Sequence, residues 1–150
     1  MVGLENYYHL TPDVLAQYDE VWVVMRFPRK EQKDKCIHVP ALAPSKELWK
    51  QTQEWKDAGK WNPYTFEFEY APRYISEITG DSTSLAAVAK LLEDARHGKD
   101  IGLACTCYHE NLCHRAVLGG IIQSIAPDIE CKARRDYRGF WATTRILLEG

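Results

Sequence analysis

The sequence predicts an α/β fold: a single three-layer, Rossmann-like domain over residues 1–150 with a central, mostly parallel sheet. Three observations lead there. The stretch EVWVVMRF, Glu20 to Phe27, is nearly continuous in apolar character, as a strand buried on both faces must be. The stretch SLAAVAKLLEDARHGKDIGLACTC joins a helical repeat directly to a short apolar run. Segments of these two kinds alternate along the chain, the pattern of strands covered by helices.

After the first strand, PRKEQKDK is a charged loop, and Ser45 to Trp55 reads as a helix with Pro44 just before it. In TFEFEYAPRY, Phe66, Phe68 and Tyr70 alternate with Glu67 and Glu69, the period of a half-buried strand; a short helix holding Tyr74 and Ile78 fits equally. Leu85, Val88, Leu91, Leu92 and Ala95 then recur at helical spacing, with Asp81, Ser82 or Ser84 to cap the start and Gly98 to end it. Ile101 to Cys107 reads as a buried strand. Asn111 is placed to cap the next helix, whose apolar face is Ala116, Val117, Leu118, Ile121, Ile122 and Ile125, and which Pro127 stops. Gly119-Gly120 inside that helix destabilises it locally, which close contact with a sheet explains. CKARRDYRG reads as a basic loop and FWATTRILLE as a last strand.

The bulk properties exclude several classes. The chain has 150 residues, 45% apolar, enough for a core, and a net charge of −2, which argues against a large phosphate-tracking surface. No apolar run reaches membrane-spanning length, so no membrane partner is expected. MVGLENYYHL lacks the charged and apolar regions of a secretory signal, and the five cysteines are an odd set. Both facts point to a reducing, cytoplasmic setting.

The chemistry concentrates in CTCYHENLCHR, Cys105 to Arg115, which holds three of the five cysteines and two of the five histidines. Ligands of open α/β sheets sit outside the carboxyl ends of the strands. One strand here ends in Arg26-Phe27-Pro28-Arg29 and another in Cys105-Thr106-Cys107; if they are parallel, both groups share one edge. A phosphate reading uses the helix N-terminus near Asn111 together with Arg26, Arg29 and Arg115. A cation in the first turn of a helix is locally unfavourable, so Arg115 calls for a compensating anion: either a ligand or Glu110. A nucleophile reading places Cys113 at the second helical position, where the dipole, His114 and Arg115 favour the thiolate. Cys107 competes for the role, with His109 or His114 as the partner base. The spacing of a cysteine phosphatase, cysteine then five residues then arginine, is absent. So is the paired two-residue gap of structural zinc sites: Cys105, Cys107, His109, Cys113 and His114 supply only one Cys-x-Cys, and no metal is assigned. Buried free cysteine as plain apolar packing is the competing account of the whole cluster. The aromatics from Trp49 to Tyr74 are assigned to packing rather than base stacking. Lys132, Arg134, Arg135 and Arg138 are assigned to solvated surface.

Three stretches together resemble the domain-of-unknown-function 488 family, small bacterial, archaeal and phage proteins. LACTCYHENLCHR is similar to that family's segment from an apolar strand into Cys-His-Arg. RFPR, Arg26 to Arg29, resembles its arginine-proline-arginine segment. LAPSKEL, with Trp61 and YISEI, resembles one branch of it. The resemblance covers most of residues 20 to 125 and implies a compact α/β fold with a polar pocket at that sheet edge; it implies no particular activity or cofactor. The sequence departs from the pattern where KEQKDKCIHVPA follows the arginine pair and in its additional Cys107. The expected function is therefore a Cys/His/Arg pocket that binds or acts on a phosphate-bearing ligand, a nucleotide or nucleic acid. The alternative is a non-enzymatic, metal-stabilised module that binds protein or nucleic acid.

Overall fold

The computed structural model describes residues 1–31, 33–139 and 141–142. Its centre is a sheet of five parallel strands in the order β3-β2-β4-β1-β5. The strands are β1 (Val2–Asn6), β2 (Glu20–Val23), β3 (Cys36–His38), β4 (Ile101–Cys105) and β5 (Cys131–Lys132). The helices are α1 (Pro12–Leu15), α2 (Lys46–Asp57), α3 (Pro63–Thr65), α4 (Ala71–Thr79), α5 (Ser82–Arg96) and α6 (His114–Ile125). The fold is α/β and Rossmann-like, as the sequence predicts, and every strand pair is parallel.

The two faces of the sheet are covered unequally. Val2, Leu4, Trp22, Val24, Ile101 and Leu103 point to one side and pack against α2, α4, α5 and α6. Val21, Val23, Cys36 and Ala104 point to the other, which, among the described residues, is covered mainly by the segment from Tyr7 to Tyr18, with α1 as its α-helix and with Met1 and Met25 at its margins. Tyr18 lies against Gly3 and Gly102; a Cβ on Gly3 would sit 2.0 Å from the Tyr18 hydroxyl oxygen. The Tyr18 hydroxyl donates to Glu5 at 2.6 Å, so the ring is fixed at both ends.

Local chemistry sets the helix ends. Ser45 caps α2 by accepting from the Leu48 amide, and Asp81 caps α5 by accepting from the Ser84 amide. Gly98, at φ +92, takes the left-handed conformation that ends α5. The FEFEY segment is helical, not extended. Phe66 and Tyr70, four apart, are buried, whereas Phe68 is 41% exposed, so burial follows a helical period. A wide π-turn spans Phe66–Tyr70 before α4. Pro72 has no N–H to give the Phe68 carbonyl, and loss of that bond is a sufficient reason for the widening.

Three strands form that the sequence does not predict, and further expectations are corrected. β1 lies between β4 and β5 although Gly3 and Glu5 interrupt its apolar run. β3 forms just beyond the charged loop, and β5 occupies the first two residues of the expected basic loop. The helix after β4 is capped by Cys113 and starts at His114; Asn111 lies in a short 3-10 turn, Glu110–Leu112. Leu85 faces outward, at 47% exposure. Of the last strand expected at residues 140–149, Trp141 and Ala142 are helical and the rest lies outside the described residues. Gly119 lies close to the sheet, as expected, whereas Gly120 lies close to the segment after β5 instead. A Cβ on Gly119 would meet Leu4 of β1 at 3.1 Å, and one on Gly120 would meet the Tyr137 carbonyl oxygen at 2.9 Å.

Among the described residues, no helix is long and apolar enough to cross a membrane.

Candidate functional site

The topology opens a crevice between β2 and β4. From β2 the chain turns outward to β3, and from β4 it turns the opposite way, past β1, to β5. Neighbouring strands whose exits diverge leave a gap at their carboxyl ends. A cavity of about 270 Å³ occupies it. Arg26, Phe27 and Arg29 come from the segment after β2, and Cys105, Thr106 and Cys107 from the end of β4. Cys113 and His114 come from the start of α6, and Trp49 and Lys56 from α2.

The floor is a cluster of sulfur and nitrogen. Cys105 ends β4 and Cys107 lies two residues beyond it, and their Sγ atoms are 3.6 Å apart. The Cys113 thiol interacts with both. Its Sγ lies 3.6 Å from His114 Nδ1. Cys105, Cys113 and His114 are buried, whereas Cys107 is only half-buried and borders the cavity. His114 Nε2 contacts the Val24 carbonyl oxygen. A carbonyl only accepts, so Nε2 carries the proton, and burial lowers the ring's affinity for a second one. Nδ1 is thus a lone pair aimed at Cys113. Hydrogen bonds from Cys105 and Cys113 hold the Cys107 thiol well below its usual range, while burial pushes Cys113 up.

The walls are aromatic and cationic. Trp49 and Phe27 meet edge to face at 5.7 Å near the mouth. Deeper in, Trp55 stacks on Trp61, Trp61 meets Tyr70, Tyr70 stacks on Tyr74, and Tyr74 meets His114 at 5.5 Å. Tyr70 and Tyr74 are core and Trp55 and Trp61 pack half-buried against it, as expected, but Trp49 is exposed; Trp49, Trp61 and Tyr70 line the cavity. Arg26 Nε donates to the Pro44 carbonyl at 3.0 Å, which fixes that side chain along the rim. Arg29 places its guanidinium over the Tyr8 ring, 5.1 Å from the centroid.

The structure therefore divides the residues singled out from the sequence. Arg26, Arg29, Cys107, Cys113 and His114 border one cavity. His109, Asn111 and Arg115 border a second, of about 380 Å³, with His9, Arg134 and Arg135. Arg115 is 2% exposed and donates to the carbonyls of Glu5, Cys105 at 3.4 Å and Cys107 at 2.9 Å. Glu110, the carboxylate expected to pair with it, instead accepts from the Tyr137 hydroxyl and the Arg134 amide. Lys56, absent from the sequence reading, completes the first cavity together with Cys105, weighed there only as a metal ligand, and Trp49, assigned there to packing. Lys56 and Trp49 lie on α2, fifty residues before the cluster, so no local spacing connects them to it.

A family model described as the active DUF488-N3 subclade matches residues 7–126. No curated protein and no solved structure matches the chain.

Proposed function

The chain belongs to the DUF488-N3a family, and on that premise we propose that it binds and acts on a phosphate-bearing ligand of nucleotide type in the crevice between β2 and β4. One observation carries the reading: three cations, Arg26, Arg29 and Lys56, share a cavity with aromatic surface and with a cysteine-histidine cluster at its floor. In this reading Arg26 and Arg29 hold phosphate oxygens, for which guanidinium geometry is suited, and Lys56 adds a point charge. Trp49, 40% exposed, and Phe27, 52% exposed, offer flat surface to a base. Cys107 borders the cavity and is the group that meets the ligand; Cys113 and His114 position it from behind. His109 and Asn111, on the second cavity, take no part. The description of the subclade as active supports a reaction rather than binding alone.

Thermal-shift titration tests this. Nucleoside monophosphates should raise the melting temperature, since a ligand at one hundred times its Kd stabilises by about 2.7 kcal/mol. Arg26→Ala and Lys56→Ala should each weaken that shift without lowering the melting temperature of the free protein by a comparable amount. Inorganic phosphate should give a smaller shift than the nucleotides. Nucleotides and phosphate that leave the melting temperature unchanged would remove the reading, as would equal shifts in wild type and both variants.

A further inference from the structure

We infer that Cys105, Cys107, Cys113 and His114 form a tetrahedral site for a divalent transition metal, zinc by the chemistry of its donors. The inference concerns the floor of that same cavity and does not depend on the nucleotide; with a metal bound, Cys107 would meet the ligand as a metal-held thiolate.

Three thiols and an imidazole are the donor set of closed zinc sites. With Zn–S of about 2.3 Å and Zn–N of about 2.0–2.1 Å, a tetrahedron has sulfur–sulfur edges of about 3.75 Å and sulfur–nitrogen edges of about 3.55 Å. The Cys105–Cys107 sulfurs are 3.6 Å apart, and Cys113 Sγ is 3.6 Å from His114 Nδ1. The ligand atoms of Cys105, Cys113 and His114 all lie within 4.8 Å of one another. Such separations are also ordinary contacts between packed atoms, so the assignment rests on the gathering of thiols around one imidazole lone pair rather than on edge length.

The histidine carries the second, independent observation. A metal-bound imidazole characteristically donates its other N–H to a carboxylate or a backbone carbonyl, which fixes ring and tautomer. His114 does this, with Nε2 on the Val24 carbonyl oxygen and Nδ1 turned to the sulfurs. The ring is 4% exposed and wedged against Tyr74, so it cannot turn away. The charge is also provided for. Three thiolates and Zn²⁺ leave one net negative charge, placed at the N-terminus of α6, where the helix dipole favours it. Three ligands, Cys105, Cys113 and His114, are buried and form the convergent group; Cys107, whose Sγ is 3.6 Å from that of Cys105 but stands outside the group, would complete the tetrahedron by rotating its side chain in from the cavity side.

The sequence spacing misses this because the ligands come from two elements. Cys-x-Cys ends β4 and Cys-His begins α6, and the loop from Tyr108 to Leu112 folds the second pair onto the first.

The full chain, purified under reducing conditions from zinc-supplemented cells, should contain about one zinc per chain, as the four-ligand stoichiometry requires. Cobalt substituted for it should give thiolate charge-transfer absorption and the intense visible bands of tetrahedral geometry. Cys113→Ser and His114→Ala should abolish the cobalt spectrum, whereas Cys107→Ser, at the half-buried position, should keep a three-ligand spectrum with shifted bands. Zinc should slow alkylation of Cys107 by about tenfold or more, and chelator should reverse it. If the buried variants fail to fold, the wild-type cobalt spectrum and the alkylation rate still decide. No stoichiometric metal, an alkylation rate indifferent to zinc, or a disulfide within the cluster in the reduced preparation would overturn the site. Any of these together with an intact nucleotide thermal shift would remove the metal and leave the proposed function standing.

Discussion

Arg115 gives the clearest case of one residue solving two problems. A cation at the start of α6 opposes the helix dipole. The fold compensates it with backbone carbonyls of Glu5, Cys105 and Cys107. The same bonds satisfy acceptors at the ends of β1 and β4, where the ladder stops. The planar fork reaches several oxygens at once, and a lysine ammonium cannot reproduce it from one point. Arg115→Lys should therefore lower stability by about 2–4 kcal/mol, the consequence of leaving buried carbonyls unpaired. Urea denaturation measures this, and a loss under about 0.5 kcal/mol, the level of an ordinary surface change, would contradict the structural role. The first-turn position of Arg115 signalled that something negative must lie nearby. It could not say that the partner was backbone, because the oxygens come from residues up to 110 positions away.

At the scale of elements, α6 is shaped by the glycine pair. Alanine in a helix interior is favoured over glycine by about 1 kcal/mol, so packing must outweigh propensity for glycine to be the better residue. The two positions differ in what opposes the added methyl. At Gly120 it would meet a backbone oxygen, Tyr137 O at 2.9 Å, with Trp141 Cβ at 3.3 Å behind it. Backbone cannot swing aside, and overpacking of this kind costs about 1–3 kcal/mol. At Gly119 the obstacle is a methyl of Leu4 at 3.1 Å, a side chain able to give by a few tenths of an ångström. Gly120→Ala should destabilise by about 1–2 kcal/mol net, and Gly119→Ala should stay within about 1 kcal/mol of wild type. Equal melting temperatures for the two variants would contradict the difference in contacts. The pair was legible in the sequence as a place of close approach. Contact with the Tyr137 to Trp141 segment, on the far side of β5, was not.

The whole molecule buries many protons that it must keep. Burial pushes the Cys131 thiol up to about 11 and raises the hydroxyls of Tyr18, Tyr70, Tyr74 and Tyr137 above their usual range, helped at Tyr18 and Tyr137 by bonds to Glu5 and Glu110. Below about pH 8.5 folded and unfolded chains both hold these protons, and they contribute no pH dependence. Above that the unfolded chain releases protons that the fold retains, so stability falls as pH rises. Cys131 acts from about pH 8.5 to about 11 and the tyrosines from about pH 10, each adding at most about 1.4 kcal/mol per pH unit. Urea midpoints should therefore decline steadily between about pH 8 and about pH 11; a flat profile would mean that these groups are solvated. The division between sequence and structure follows the range of the forces involved. Periodicity and caps act within a few residues, so α2, α5, α6, β2, β4 and the parallel α/β class could be read directly from apolar spacing, Ser45, Asp81 and Gly98. Short strands with weak local signals, β1, β3 and β5, owe their existence to ladder partners far along the chain. The same holds for the cluster at their edge. The residues Cys105, Cys107, Cys113 and His114 are plain in the sequence, but their meeting depends on a loop that folds back and on a carbonyl of β2's exit holding the imidazole. Distances between elements are set only when the whole core packs, and those distances bring three cysteines and one histidine from a run in the sequence into one cluster.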